Sequence, residues 1–278
     1  MDTLPSLFVS HGSPMIALEP GAAGAFLTRL GPAIDKAFGR PRAIVAVSAH
    51  TTARAPVLMA AAQHHAVYDF GGFDPQLYTL RYDAPGAPAL APRVAGLLQA
   101  AGIDVQVMSE GGLDHGIWTA LRYVYPDADV PILPLAFVPT QSPAQQFALG
   151  EALAALRNEQ VLVLGTGSIT HNLRRVFAGG LDAPSGQPEI PESAAFREWM
   201  RARSEQLDWT ALLDYRRQAP HAVDMHPSDE HLLPWFVAAG AGGREAQPQR
   251  LHDSVTHGCL GMDVYAFGDE AAQLKNTP

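Results

Sequence analysis

Four histidines lie close behind short apolar segments, and imidazole suits two kinds of chemistry. His11 and His50 directly follow such segments, His171 lies a few residues beyond a third, and His115 lies between glycines after a fourth. Neutral imidazole is a common metal ligand and the usual acid–base group near pH 7. In open α/β sheets, ligands bind beyond the carboxyl ends of the strands. The sequence therefore predicts a metal or acid–base site at that rim.

A second group of three histidines could complete the site. His221, His226 and His231 surround the start of a predicted helix over 229–239, for which Ser228 is a good N-cap. This start places His231 in the first turn, where the helix dipole favours neutral imidazole, the form that binds metals. Position alone does not choose among the three.

The remaining histidines have weaker contexts. His64 and His65 lie in an Ala/Gln-rich stretch and are expected to be solvated. His252 and His257 lie near the last predicted strands, where they either line the site or pack against the sheet. Ser13 and Ser48 lie outside any G-x-S-x-G motif, which argues against a serine hydrolase triad.

The elements that must position these side chains alternate along the chain. Short apolar runs rich in Val, Ile and Leu predict buried strands at 6–10, 43–48, 105–108, 132–137 and 161–165. Helical patterns occupy 23–38, 90–101, 143–157, 193–206 and 229–239. The segments 250–256 and 262–267 flank a glycine turn and predict a hairpin or an antiparallel edge. This alternation predicts an α/β fold with a mainly parallel central sheet flanked by helices.

Composition excludes several classes of protein. The chain has 278 residues and a net charge of −9, which argues against a nucleic-acid partner and against docking on an anionic membrane. No apolar run approaches the roughly 18 residues of a membrane span, and the first residues do not resemble a signal peptide. Cys259 is the single cysteine, so a reducing cytoplasm is expected. Without a linker or repeat, residues 1–278 are expected to form one catalytic domain.

Six ordered motifs carry a resemblance to a known family. They are Ser10-His11-Gly12-Ser13-Pro14, Ser48-Ala49-His50, Tyr68-Asp69-Phe70-Gly71-Gly72-Phe73, Gly112-Leu113-Asp114-His115-Gly116, Gly167-Ser168-Ile169-Thr170-His171-Asn172-Leu173 and Glu230-His231-Leu232-Leu233-Pro234. Together they resemble the class III extradiol ring-cleavage dioxygenases, in the branch similar to DOPA 4,5-dioxygenase. The resemblance covers nearly the whole chain and is more specific for family than for substrate.

The resemblance implies a site and a reaction. It implies an α/β fold with a non-haem metal at the rim of the sheet, bound by His11, His50 and His231. His171 matches the family's general base, and His115 matches a second pocket histidine that donates a proton or holds a substrate oxygen. The implied substrates are a small catechol, DOPA-like or related, and O2. No oligomeric state is implied.

Two positions depart from the family pattern. Thr51 follows the Ser-Ala-His motif, where relatives often have Trp. His226, which relatives often lack, is expected in the pocket wall or at the surface, away from the metal. Both positions are expected to reshape the pocket, so the motifs do not identify the substrate.

Three protein ligands leave positions on the metal for catechol and O2. Fe(II) is the metal expected for activity, and Zn(II) also suits three imidazoles. The same site could instead serve a zinc hydrolase or a non-catalytic protein that binds a metal or a small aromatic. His171 and His115 argue against the non-catalytic alternative, since metal storage needs neither residue.

Overall fold

The computed structural model describes residues 3–179 and 185–275. Its strands are β1 Ser6–Ser10, β2 Ala43–Ser48, β3 Val57–Met59, β4 Gln63–His64, β5 Ala84–Pro85, β6 Gln106–Met108, β7 Ile132–Ala136, β8 Val161–Gly167, β9 Gln249–His252, β10 Val255–Thr256, β11 Leu260–Gly261 and β12 Val264–Phe267. Its α-helices are α1 Gly21–Phe38, α2 Ala91–Ala100, α3 His115–Val124, α4 Pro143–Leu153, α5 Leu173–Val176, α6 Pro191–Glu205, α7 Trp209–Leu213, α8 Tyr215–Gln218, α9 Ala222–Met225 and α10 Leu233–Gly242.

Eight strands form one sheet in the order β6-β3-β7-β2-β8-β1-β12-β9. The four central strands β7, β2, β8 and β1 run parallel to one another. Every residue of these four strands is buried, as expected for apolar strands covered by helices on both faces. The structure therefore confirms the predicted α/β fold with a mainly parallel central sheet.

The two edges of the sheet differ from its centre. β12 and β9 pair antiparallel next to β1, in agreement with the antiparallel edge expected near the C-terminus. The prediction of a buried strand over 105–108 is wrong about burial, because all three residues of β6 are exposed. Val107 and Met108 are apolar but lie on the outermost strand, where about half of each side chain is exposed. An apolar run of four residues does not distinguish an edge strand from a central one.

Helices cover both faces of the sheet. On one face, α10 packs against α4 and the central strands, and all ten of its residues are buried. On the other face, α1 packs against α3 through an apolar stripe of which Phe26, Leu30 and Ile34 are members. Burial on both faces fixes the sheet and so fixes the rim at its carboxyl ends. Among the described residues, no helix combines the length and hydropathy needed to cross a membrane.

Two predicted helix boundaries are wrong. The segment predicted as a helix over 143–157 ends as an α-helix at Leu153 and continues as a 3₁₀ turn. The predicted helix over 229–239 starts later, at Leu233, with Pro234 in its first turn. Proline lacks the N–H that a helix interior requires, so it favours the first turn. Ser228 is therefore not the N-cap, and His231 precedes the helix.

Candidate metal and acid–base site

Three of the predicted site histidines point their Nε2 atoms at one another. The Nε2 atom of His50 lies 3.1 Å from that of His11 and 3.2 Å from that of His231. One ring nitrogen from each of the three lies within 4.8 Å of the others. Three imidazoles on three separate segments thus converge on one point.

The sheet brings His11 and His50 to this point. β8 lies between β1 and β2, and its register pairs Ser10 with Gly167 and Ser48 with Thr166. The residues that follow β1 and β2 therefore emerge at the same edge. The His11 backbone N–H donates to the Gly167 carbonyl at 2.9 Å, which fixes the end of β1 against β8.

Two glycines permit the close approach of the other segments. A Cβ atom on Gly167 would lie 2.0 Å from the His231 carbonyl oxygen, and that carbonyl accepts a 2.9 Å hydrogen bond from the Ser168 N–H. A Cβ atom on Gly116 would lie 2.9 Å from the His11 ring. Larger side chains at these positions would displace two of the three converging histidines.

Hydrogen bonding sets the tautomer of His11. The Thr166 hydroxyl donates its only proton to the Gly116 carbonyl at 2.7 Å. It must therefore accept from His11 Nδ1, which lies 2.9 Å away. Because a neutral imidazole carries one N–H, the Nε2 atom of His11 presents a lone pair to the centre of the cluster.

His231 is oriented in the same way. Its Nδ1 atom lies 3.2 Å from the Glu230 carboxylate, which accepts the proton and leaves a lone pair on Nε2. His50 directs Nδ1 toward the Asp69 carboxylate, 3.7 Å away. Such outer partners usually hold metal-binding imidazoles in place. Converging lone pairs repel one another unless a cation lies between them, so this donor set fits a metal ion.

Burial keeps these three rings neutral. Burial and the neighbouring His50 lower the pKa of His11 well below its usual value. Burial, helped by His115, lowers the pKa of His50 to about 4. Burial also lowers the pKa of His231, with a further contribution from His171. Neutral imidazoles are ready to bind a metal at pH 7 without losing a proton.

His115 lies beside the three histidines but is held by a carboxylate. Its Nδ1 atom lies 3.0 Å from both oxygens of Asp69, and its backbone N–H donates to the same residue at 2.9 Å. Burial raises the pKa of Asp69, but the hydrogen bonds and charge of His115, together with His50, outweigh it, and the net pKa is lowered. Asp69 is thus an anion that fixes the His115 ring 4.0 Å from that of His50, centroid to centroid.

His115 is the first residue of α3 rather than part of the predicted loop. Asp114 is the N-cap of this helix, and its carboxylate also accepts hydrogen bonds from Ser48 at 2.7 Å and from Thr51. Asp114 therefore joins the end of β2, which carries His50, to the helix that carries His115. Thr51 supplies its hydroxyl to this link, a bond that a Trp at this position could not make in the same way.

His171 lies flat against His231. The two rings stack with centroids 3.4 Å apart and an angle of 7° between their planes. Burial, with a smaller contribution from the neighbouring His226, lowers the pKa of His171 to about 3. The ring is therefore neutral. All five predicted site residues are brought together, and we call them the histidine cluster: His11, His50, His115, His171 and His231.

The histidine cluster borders a cavity of about 600 Å³. Its apolar rim consists of Phe70, Phe73, Leu173 and Phe177, of which Leu173 is 45% exposed and Phe177 42% exposed. A volume of this size suits a small aromatic molecule, and the rim suits its ring. The cavity therefore combines a candidate metal site with an apolar entrance.

Among the histidines outside the cluster, His64 and His226 differ from expectation. His64 was expected to be solvated, but it is fully buried and neither ring nitrogen has a hydrogen-bond partner among the described residues. His65 is exposed and lies 2.7 Å from the Asp83 carboxylate. His252 stacks on Phe26 at 4.9 Å, so it packs rather than lining the cavity. His257 does line it.

His226 is not a surface residue. It is fully buried behind the cavity, does not line it, and donates from Nε2 to the Ile169 carbonyl at 2.9 Å. Burial lowers its pKa to about 4. His221 lies outside the histidine cluster, in a left-handed backbone conformation at the start of α9. Of the three histidines left open by their positions, only His231 joins the histidine cluster.

Sequence reasoning missed four polar residues that support the site: Asp69, Asp114, Thr166 and Glu230. Asp114 directly precedes His115 and Glu230 directly precedes His231, whereas Asp69 has no histidine directly beside it. A carboxylate placed next to a functional histidine was the available signal, because such histidines usually have an acidic partner. Thr166 gave no such signal, since only the pairing of β1 with β8 places it against His11.

Comparisons with known proteins agree with this architecture. Residues 5–268 match the family described as the catalytic LigB subunit of aromatic ring-opening dioxygenase. The chain is 33% identical over 265 residues to a 4,5-DOPA dioxygenase extradiol from Beta vulgaris, covering 94% of this chain and 96% of that one. It is 37% identical over 245 residues to a protein of the same name from Escherichia coli K12, covering 86% of this chain and 85% of that one.

A solved structure extends the likeness to the fold. The crystal structure of the uncharacterized protein JW3007 from Escherichia coli K12 superposes with a TM-score of 0.75 at 30% sequence identity, covering 95% of this chain and all of that one. The dioxygenase tasH from Hapsidospora irregularis is 33% identical, covering 96% of this chain and 86% of that one. The chain belongs to the LigB family of aromatic ring-opening dioxygenases.

Proposed function

We propose that this protein is a metal-dependent extradiol dioxygenase that opens a catechol-type ring with O2. The observation that carries the proposal is the convergence of three Nε2 lone pairs, from His11, His50 and His231, beside an aromatic-lined cavity. In this proposal these three residues hold the metal. Fe(II) bound there would supply the redox chemistry that ring opening with O2 requires.

His171 is the general base of the proposed reaction. Its neutral ring lines the cavity against His231, where a catechol hydroxyl near the metal ligands would come within its reach. A ring nitrogen of His171 accepts the hydroxyl proton. The resulting oxygen anion raises the pKa of the imidazolium, because opposite charges favour the charged forms.

His115 is the second acid–base group. Because Asp69 binds its Nδ1–H, the opposite ring nitrogen Nε2 is available to a substrate oxygen. There it holds that oxygen in place or returns a proton to it during ring opening. The carboxylate of Asp69 stabilises the imidazolium form that proton donation requires.

We also propose partners and a location for the protein. The partners are small molecules, a catechol and O2, and the protein acts in the cytoplasm. The location is supported by the single cysteine, Cys259, which is buried and has no second cysteine with which to pair. Zn(II) is expected to bind the same three histidines but not to support oxygen chemistry, because it has no redox activity.

The test is reconstitution with each metal separately. The protein is stripped of metal, loaded anaerobically with Fe(II) or with Zn(II), and mixed with a panel of catechols under ¹⁸O₂. We expect O2 uptake and a product with both labelled oxygen atoms in the Fe(II) form only. Absence of uptake with every catechol, or ester hydrolysis by the Zn(II) form, would contradict the proposal and favour the zinc hydrolase alternative.

A further inference from the structure

We propose that the catechol opened by this enzyme has a ring substituent without a carboxylate, one that is either uncharged or carries an ammonium group. This inference rests on the proposed function and specifies its substrate class. It comes from the charges around the cavity. Several relatives are named 4,5-DOPA dioxygenase, and DOPA is an amino acid that carries a carboxylate. The substrate proposed for this chain therefore differs from the one in their name.

The cavity offers a substituent no cation. Among the described residues that line it there is no Lys or Arg, and the acidic residues are Asp74 and Glu230. The Glu230 carboxylate lies 3.2 Å from His231 Nδ1, close to the cluster. Asp74 directly follows Phe73 of the apolar rim. The stretch 180–184, outside the described residues, has the sequence GLDAP and so contains no basic residue either.

The nearest basic side chains on the rim do not reach the cavity. Arg174 and Arg175 follow Leu173 on α5, but the residues of this segment that line the cavity are Leu173, Val176 and Phe177. Arg175 is bound to Asp224 and lies 3.4 Å from Glu192. Arg174 is exposed and is not among the residues that line the cavity.

A carboxylate placed here would lose water without gaining a cationic partner. Burial of a charge is costly unless the charge is paired, and two carboxylates nearby add repulsion. An alkyl substituent would contact the apolar rim, and an ammonium group would be attracted to Asp74 and Glu230. Both kinds of substituent are therefore preferred over one that ends in a carboxylate.

The test uses two pairs of probes, each differing only by a carboxylate: dopamine with DOPA, and ethylcatechol with dihydroxyphenylpropionate. Dissociation constants are measured by calorimetry on the Zn(II)-loaded protein, and kcat/KM by O2 uptake on the Fe(II)-loaded protein. We expect the carboxylate-bearing member of each pair to bind at least tenfold more weakly, which corresponds to about 1.4 kcal/mol. Equal or tighter binding of the carboxylates would overturn the inference.

Three rim variants sharpen this result. Leu173→Lys adds a cation at an exposed rim position and is expected to bind dihydroxyphenylpropionate about tenfold more tightly than Leu173→Gln does, while the two variants bind ethylcatechol equally. Leu173→Gln, of similar length and neutral, is the matched control. Arg174→Gln is expected to leave the ratio within each pair unchanged, and selective weakening of the carboxylates by this variant would identify Arg174 as their partner and overturn the inference.

The outcomes separate this inference from the proposed function. Tight binding of the carboxylate-free probes without O2 uptake would contradict the dioxygenase and leave only the binding preference of the cavity standing. O2 uptake with a preference for carboxylates would contradict the inference alone. Binding of none of the four probes would overturn both.

Discussion

The histidine cluster and the apolar rim share one cavity but are held very differently. In the cluster, the Nδ1 atoms of His11, His115 and His231 each lie against an oxygen, at 2.9, 3.0 and 3.2 Å. The rim consists of the glycine-containing loop at 70–73, the four-residue helix α5 and Phe177 directly after it. Leu173 and Phe177 are exposed there. The cluster is thus fixed by hydrogen bonds from surrounding elements, whereas the rim depends on a few apolar contacts.

This difference separates the reaction from the choice of substrate. Substitutions in the cluster are expected to change metal binding or rate, because hydrogen bonds fix the rings of His11, His115 and His231. Substitutions in the rim are expected to change affinity for the catechol and little else.

The largest effect is expected for loss of a proposed metal ligand. His231→Ala should lower the metal content from about one ion per chain to near zero, since two imidazoles rarely hold a metal alone. His226→Ala is the matched control, five residues away and equally buried. It should keep its metal while losing stability. Elemental analysis of both variants after Fe(II) loading decides between them, and equal metal loss would mean that His226 is also a ligand.

The next largest effect is expected at His171. His171→Gln should keep the metal and bind catechol but lower kcat about 10² to 10⁴-fold, because an amide does not accept the proton. His171→Phe retains a ring to stack on His231 and separates packing from proton transfer. Steady-state O2 uptake at confirmed Fe(II) occupancy measures both variants. Near-normal turnover by the Gln variant would remove His171 from the mechanism and leave His115 as the acid–base group.

A smaller effect concerns stability and pH at His226. Burial lowers its pKa in the folded state to about 4, below the value near 6.5 in the unfolded chain. The unfolded state therefore binds more protons between these two pH values, so stability falls as the pH falls from about 6.5 toward 4, by up to about 3 kcal/mol from this residue.

His226→Gln removes the titrating group and is expected to flatten this part of the pH profile. Urea unfolding of the metal-free protein and of this variant, measured at several pH values from 7 to 4, tests the expectation. Parallel profiles for the two proteins would show that the imidazole of His226 does not contribute to the acid sensitivity.

The smallest effect is expected at the rim. Phe177→Ala should raise KM for a catechol roughly threefold through lost apolar contact, with kcat and metal content unchanged. Lys275→Ala, on the last described turn and not lining the cavity, serves as a surface control. A drop in kcat for Phe177→Ala would show that the rim also positions the reacting ring.

Much of the site could be predicted because the chemistry lies next to the strongest sequence patterns. The runs before His11 and His50 are apolar and buried, so their strands and carboxyl ends were recognisable. The histidine motifs then supplied the remaining residues of the histidine cluster. These features are local in sequence, and that is the range over which patterns are informative.

The remaining features depend on contacts between distant residues. His64 lies on β4, which pairs with β5 outside the eight-stranded sheet, and an Ala/Gln-rich context does not show that this position is buried. The exposure of β6 follows from its position at the end of the strand order. The Asp69–His115 pair joins residues 46 positions apart. None of these has a local signal in the sequence.

The central claim is that His11, His50 and His231 hold one metal through their Nε2 atoms. Crystals of the Fe(II)- or Zn(II)-loaded protein, with anomalous scattering recorded at the metal edge, test it most directly. We expect a single anomalous peak about 2.0–2.2 Å from all three Nε2 atoms, with no carboxylate among the protein ligands. A peak bound instead by His50, Asp69 and His115, or by His171, Glu230 and His231, would contradict it.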